Sequence, residues 1–485
     1  MTRFTATLVA LVALVALVCA LALVPVTAAS AGTPGGPRTW HVLVGGQSGD
    51  QAVQAEGYYP HVITIDAGDT VVWTLNSPEL HGVVFNGTCD SFSCVSPDCF
   101  PPTMLDVSPC GPSSYDGVTA IAQSGRMVSP VYTNWDNTVP HGTTTYSLTF
   151  TQPGASVYYD PSVSGMRGVV IVHPTGTPYP FTQAQYAIQA QQQLRADLAA
   201  GAQARGDARQ VTVSAGPGGT RTYNVALGVS PPETARLELA PAAGLAARGT
   251  ALLAGSGIGT SPSPSITVTV KLSGLAPGSV HAIQILLGVC GAPALATGIQ
   301  LNRTFPFTTL TLNNLTAGPD GTATSTTVIT QPPVVGGPGQ LAIPSSGWFI
   351  NVAASSAADN GKTSAACGNV VYHSAAVMRY LPQNLHIHVG DTVVWTNDTS
   401  NEPHAVTFLA GQPLPQIPEW YSSPPTGNGT SYDGSSYFNS GLLYRPDTGL
   451  PDSLTLTFTK PGTFPYVDVG DFFMKMQGSV IVTPP

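Results

Sequence analysis

At 485 residues the chain has room for three or four domains of ordinary size. Only 9% of its residues are charged and the net charge is -9, with no basic cluster, which argues against nucleic acid or an anionic membrane surface as a partner. Gly (52) and Pro (44) are abundant beside many Ser, Thr and Val, the composition of short strands joined by turns, so the expected fold class is all-β.

The N-terminus reads as an export signal over residues 1–31. Arg3 gives a positive start, Leu8 to Val24 is an unbroken apolar run, and Val26-Thr27-Ala28 or Ala29-Ser30-Ala31 offers a small-residue cleavage site. The expected location is secreted, extracellular or at the cell surface, with an uncleaved anchor as the alternative. No other segment is apolar enough to span a bilayer, so no membrane span is expected after signal removal. Cys19 leaves with the signal. Cys89, Cys94, Cys99, Cys110, Cys290 and Cys367 remain, an even set that reads as disulfides in an exported chain. Pairing among the four clustered cysteines stays open.

An internal repeat organises both ends. Tyr58-Tyr59-Pro60 through Gly68-Asp69 to Trp73-Thr74 aligns without a gap to Tyr380-Leu381-Pro382 through Gly390-Asp391 to Trp395-Thr396. In each copy apolar residues alternate toward a Gly-Asp turn, and a β-branched stretch ends on Trp, which predicts a hairpin with one buried face. A histidine follows, His81 or His404. Then come a long loop, a strand (Tyr146–Phe150 or Leu454–Phe458), a Pro-Gly turn, and a closing loop ending Met166-Arg167-Gly168 or Met476-Gln477-Gly478. Between the copies, residues 181–208 change period. Thr182 and Gln185 form a capping box, and Ala187, Ala190, Leu194 and Leu198 a thin apolar stripe, predicting a helical spacer against a domain face. The block 211–375 is strand-like again. His386 and His388 share one strand face, which reads as solvated. His41, His141, His173 and His373 are isolated.

These motifs resemble the cupredoxins, the plastocyanin and azurin family, over 40–178 and 376–485. The stretch Tyr466–Val480 is similar to that family's ligand loop, Tyr-x-Cys-x-x-His…Met-x-Gly. The resemblance places Asp468 at the Cys position, Asp471 at the second His, and Met476 at the axial Met, with His404 as the first His. In the first copy it places His81, Asp160 and Met166 at ligand positions, and Val163 about where the second His belongs. The family role is copper binding and electron transfer. A blue site needs a thiolate between two imidazoles, so an oxygen donor at Asp468 implies a pale copper(II) site with slow redox cycling. The first copy, with one imidazole and one carboxylate, is expected to hold no metal tightly.

Within 211–375, Gly274–Leu286, Asn314–Gly321 and Ala365–Val370 resemble the Cu,Zn superoxide dismutase family. That family joins cysteines in the places of Cys290 and Cys367, so the resemblance implies this disulfide. Its metal ligands are replaced: Gln284 and Leu286 stand for copper histidines, Thr308 and Thr311 for zinc ligands, and the strand containing Val352 lacks the late copper histidine. His281 matches a histidine with a structural role there. The expected architecture is three β-sandwich domains in series with a helical spacer: cupredoxin, superoxide-dismutase-like, cupredoxin. The expected function is an exported cupredoxin-family protein that binds copper at a Cys-less site. The alternative is a metal-free structural or adhesive cell-envelope protein. An enzyme is not expected, because the superoxide dismutase and multicopper oxidase ligand sets are both absent. The sequence names neither a redox partner nor a cell-surface partner.

Overall fold

The computed structural model describes residues 36–85, 109, 111–117, 122–131, 142–163, 165–208, 211–256, 265–291, 309–330, 342–358, 362–415, 430–446 and 450–485. The expected export signal over 1–31, Cys89, Cys94, Cys99, Cys110, His141 and Thr308 lie outside these residues. No helix among the described residues is long and apolar enough to cross a membrane.

The fold is mostly β, in several sheets. In the N-terminal sandwich, Thr39–Gln47 lies between Val53–Tyr59 and Thr70–Leu75, and Thr145–Phe150 continues that sheet. The facing sheet runs Val62–Asp66, Arg167–His173, Gly154–Tyr159, His81–Phe85, Ala122–Met127. Trp73 fills the space between them, its ring 5.5 Å from Phe85 and 5.3 Å from Tyr158.

The predicted hairpins do not form. Val62–Asp66 pairs with Arg167–His173 in one sheet while Thr70–Leu75 pairs with Thr39–Gln47 in the other. The Gly-Asp turn is instead a corner that carries the chain across the sandwich. The Asp69 carboxylate builds it by accepting from Asp66 N (3.0 Å), Arg38 N (2.7 Å) and Trp40 Nε1 (2.8 Å). Asp391 makes the equivalent corner, accepting from His388 N at 2.9 Å and Arg221 N at 2.7 Å. Alternation of apolar residues fixes which face a strand buries, not which strand it pairs with.

The last of these contacts shows where the C-terminal sandwich begins. Arg221–Val229 lies parallel to Thr392–Thr396 and antiparallel to Ala375–Leu381, as Thr39–Gln47 lies parallel to Thr70–Leu75 and antiparallel to Val53–Tyr59. The chain therefore lays down the first strand of this sandwich and leaves it. It builds strands from Thr234 to Val370, then returns. The strand-like block 211–375 is therefore not one unit: sheet pairing assigns 221–229 to the later sandwich. The facing sheet holds Asn384–His388, Gln477–Thr483, Gly462–Val467, Thr407–Phe408 and Phe438–Asn439.

The intervening strands form one eight-stranded sheet. Its end strands, Thr309–Thr316 and Ala323–Thr330, are linked by Asn313 N to Thr327 Oγ1 (2.8 Å) and Ser325 Oγ to Asn313 O (2.8 Å). Where a β-sandwich was expected, the result is a nearly closed barrel, with Leu253, Ile283, Leu315, Ile350 and Val352 inside. The Cys290–Cys367 disulfide is present.

The two outer sandwiches join edge to edge. Val53 pairs with Val377, Gln54 with Ala376 and Ala55 with Ala375, so one continuous sheet runs through both. The alignment that matches Tyr58 with Tyr380 also matches Gln54 with Ala376. Equivalent strands thus meet about a pseudo-twofold axis. The helix Gln183–Asp207 starts with the capping box at Thr182 and packs over this seam. Ala190 and Leu194 cover Ala55 and Tyr59, while Leu198 and Ala204 cover Val53, Ala375 and Val377. Asp197 accepts from the Tyr59 hydroxyl (2.6 Å) and His373 Nδ1 (2.7 Å), one partner from each side. Ala187, expected on the buried stripe, is exposed; Tyr186 takes that role.

Candidate metal centre

His404 enters the facing sheet of the C-terminal sandwich just before Thr407–Phe408, fully buried, its N–H and C=O both bonded to Leu443. The Tyr380 hydroxyl donates to Ala405 O at 2.5 Å and pins this segment. Asp468 follows the strand Gly462–Val467, and Asp471 begins the single helical turn Phe472–Met474. Loop hydrogen bonds from Asp468 N to Met476 O (3.0 Å) and Met476 N to Asp471 O (3.3 Å) hold these three positions together.

The side chains converge. His404 Nδ1 donates to Asp468 Oδ2 at 3.1 Å and to Asp471 Oδ2 at 3.0 Å, and its Nε2 meets Ser400 Oγ at 3.0 Å. Asp468 also accepts from Ala405 N and Gly470 N, both at 2.9 Å. Among the described residues this is the one group of three histidine, cysteine or carboxylate donors whose ligand atoms all lie within 4.8 Å of one another. Met476 is fully buried in the apolar core beside it.

Burial by itself would lower the His404 pKa; the bonds to Asp468 and then Asp471 outweigh it and raise it to about 10. Burial, reinforced by the charge of Asp468, pushes Asp471 up to about 6. Both folded-state values exceed their unfolded ones, so each group favours folding below its unfolded pKa and loses that contribution as pH rises through the folded one. With a chelator present, the urea midpoint is therefore expected to fall as pH is raised from about 4 to about 6, as Asp471 ionises, and on to about 10, as His404 loses its proton. A flat profile over that window would mean that the imidazolium is not clasped between the two carboxylates.

The first copy is simpler. His81 Nδ1 donates to Asp160 Oδ2 at 2.8 Å, and Asp160 accepts from Ser162 N (2.6 Å), Gly82 N (3.2 Å) and Val163 N (3.3 Å). Met166 is fully buried nearby in sequence, its C=O bonded to Asp160 N. Val163 stands in place of Asp471, leaving an imidazole and one carboxylate. In the barrel, Gln284 is buried within its strand, and His281 bonds Ser279 Oγ (2.8 Å) and Ala353 O (2.9 Å) as a structural residue does. His386 and His388 are exposed.

No family model matches the chain, nor does any curated protein. Among solved structures, variants of amicyanin align with 22% of this chain and 74% of their own, at a TM-score of 0.15. Identity is 26% for an oxidised form and 28% for a reduced one. No family is assigned on that overlap, and the site is read from its own geometry.

Sequence reading missed the residues around the outer nitrogen of each histidine. Ser77-Pro78-Glu79-Leu80-His81 and Ser400-Asn401-Glu402-Pro403-His404 share the pattern Ser-x-Glu-x-His, visible once the copies are aligned past Trp73 and Trp395. Each serine hydroxyl accepts the glutamate N–H two residues on, at 3.1 and 3.3 Å. Gly45 and Gly228 hold the backbone beside them at φ +65° and +64°. A Cβ on Gly228 would lie 2.6 Å from His404 Nε2 and 2.8 Å from Val377 O. Gly228→Ala is thus expected to cost about 2 kcal/mol and to loosen the Ser400–His404 bond. Denaturant unfolding measures this; no loss of stability would show that the ring has room to retreat.

Proposed function

We propose that this chain is an exported protein whose outer sandwiches are cupredoxin-like and whose C-terminal sandwich binds copper(II) at His404, Asp468 and Asp471. The observation that carries the reading is the convergence of those three donors within 4.8 Å in a buried setting. One imidazole and two carboxylates suit copper(II) and other divalent ions. Asp468 is positioned by two backbone N–H groups, so it can turn toward an ion without leaving its loop. Met476 has the axial position in the motif. Copper there would supply one-electron chemistry, but with carboxylates in place of thiolate the oxidised state is favoured, so electron transfer is expected to be slow. Binding requires His404 Nδ1 to give up its proton. The barrel between, superoxide-dismutase-like in sequence but without that family's ligands, is read as structural.

The test is copper content and visible absorption of purified, copper-loaded protein. About one equivalent, pale in colour and lost on His404→Ala, is expected. An intense blue band would reveal a thiolate ligand and overturn the reading. A second reading, a metal-free structural or adhesive cell-envelope protein, is favoured by one observation. The His–Asp bond recurs at His81 and Asp160, where Val163 stands in place of Asp471, so the pair forms without the second carboxylate on that side of the ring. Copper-free protein after loading would select it.

A further inference from the structure

Beside the pseudo-twofold seam, on the far side of each histidine from its aspartate, lies a second set of polar side chains. His81 is fully buried, and its Nε2 has no hydrogen-bond partner. Glu79 is 7% exposed, and neither of its carboxylate oxygens has a partner. The two face each other, Nε2 to Oε2 at 3.7 Å. Glu56, on the seam strand and 3% exposed, is held by the Ser374 hydroxyl at 2.6 Å. From the other sandwich comes Glu402, half-buried, its carboxyl held above the usual range by burial and by the charges of Glu79 and Glu56.

Asp160 holds His81 at Nδ1, and the other ring nitrogen, Nε2, is turned toward Glu79. A carboxylate behind an imidazole is the arrangement that orients a histidine for a metal and raises its basicity. In the second copy the Ser400 hydroxyl occupies the corresponding nitrogen, whereas Ser77 is turned to Gln54, 3.4 Å away. Gly45 leaves the space beside Nε2 open: a Cβ there would stand 2.6 Å from it.

A buried carboxylate with no hydrogen-bond partner, as at Glu79, is strongly disfavoured unless a proton or a cation neutralises it. Zinc holds imidazole nitrogen and carboxylate oxygen at about 2.0–2.2 Å, and tetrahedral donors at that range lie about 3.4 Å apart. The 3.7 Å between His81 Nε2 and Glu79 Oε2 is close to that spacing. The set as a whole is looser than the C-terminal group, so Glu56 or Glu402 must swing inward to complete it.

We infer that His81 Nε2, Glu79, Glu56 and Glu402 form a second cation site, for a borderline divalent ion of the Zn2+ class, bridging the two Ser-x-Glu-x-His loops across the seam. It uses the opposite nitrogen of His81 from the copper-family position and is independent of the proposal for His404.

The test is zinc stoichiometry and affinity of the full chain, using Zn2+ alone, by metal analysis and calorimetric titration. Glu79→Gln is expected to lose one equivalent that Asp471→Asn retains, and Glu402→Gln to weaken the same equivalent at least tenfold. That pattern would stand even if no metal binds at His404. Wild-type stoichiometry and affinity in Glu79→Gln, or no zinc retained by the wild type, would overturn the inference. If Glu79→Gln fails to fold by near-ultraviolet dichroism, Glu402→Gln from the opposite loop decides: undiminished affinity there overturns it.

Discussion

His404→Ala is expected to destabilise the metal-free protein by about 3–5 kcal/mol, the cost of removing one partner from a buried charge pair. The variant is also expected to retain no copper(II). Asp468 would keep its bonds from Ala405 N and Gly470 N. Asp471, by contrast, would lose the imidazole and face the charge of Asp468 in the same buried space. His81→Ala makes the informative comparison. Asp160 would still accept from Ser162, Val163 and Gly82 and meets no second carboxylate, so a smaller loss, about 1–3 kcal/mol, is expected. Combining His404→Ala with Asp471→Asn should recover part of the loss, because the neutral amide no longer repels Asp468. Urea unfolding in chelator gives all three values. Equal costs at His81 and His404 would mean that the second carboxylate adds nothing to the clasp.

What the sequence made legible was local. The repeat, the two histidines after Trp73 and Trp395, the aspartates in the closing loops and the Thr182–Gln185 cap are all read within short windows. What the histidines and the loop aspartates could do was implied by the resemblance to the cupredoxin ligand loop. The strand Arg221–Val229 was not legible, because its partners Ala375–Leu381 and Thr392–Thr396 lie beyond the whole barrel. Nothing in an alternating pattern says which distant strand will complete a sheet. The hairpins failed for a related reason. Gly68-Asp69 and Gly390-Asp391 look like tight turns, yet Asp69 and Asp391 reach back to Arg38 and Arg221, residues no local window includes. Glu79 and Glu402 fall between these cases. Each is unremarked alone, and only the aligned copies show that both histidines follow a glutamate by two residues.

The barrel's place inside the C-terminal sandwich makes its own stability separable from the site's. Cys290 and Cys367 are 77 residues apart, and the loop-closure model gives a bond of that span about 4.5 kcal/mol. Cys290→Ser with Cys367→Ser is therefore expected to lower the barrel's thermal transition by on the order of 10 °C, followed by calorimetry. The chain leaves the outer sheet at Val229 and comes back beside it, Val229 being paired with Val377. An unfolded barrel is then a long loop closed at its base. Closure entropy grows only as the logarithm of loop length, so the pairing of Arg221–Val229 with its neighbours should survive between the two transitions. Copper retained at His404 in that temperature window would show that the sheet, not the barrel, holds the strand whose Gly228 packs on the imidazole. Copper lost together with the barrel would show the reverse.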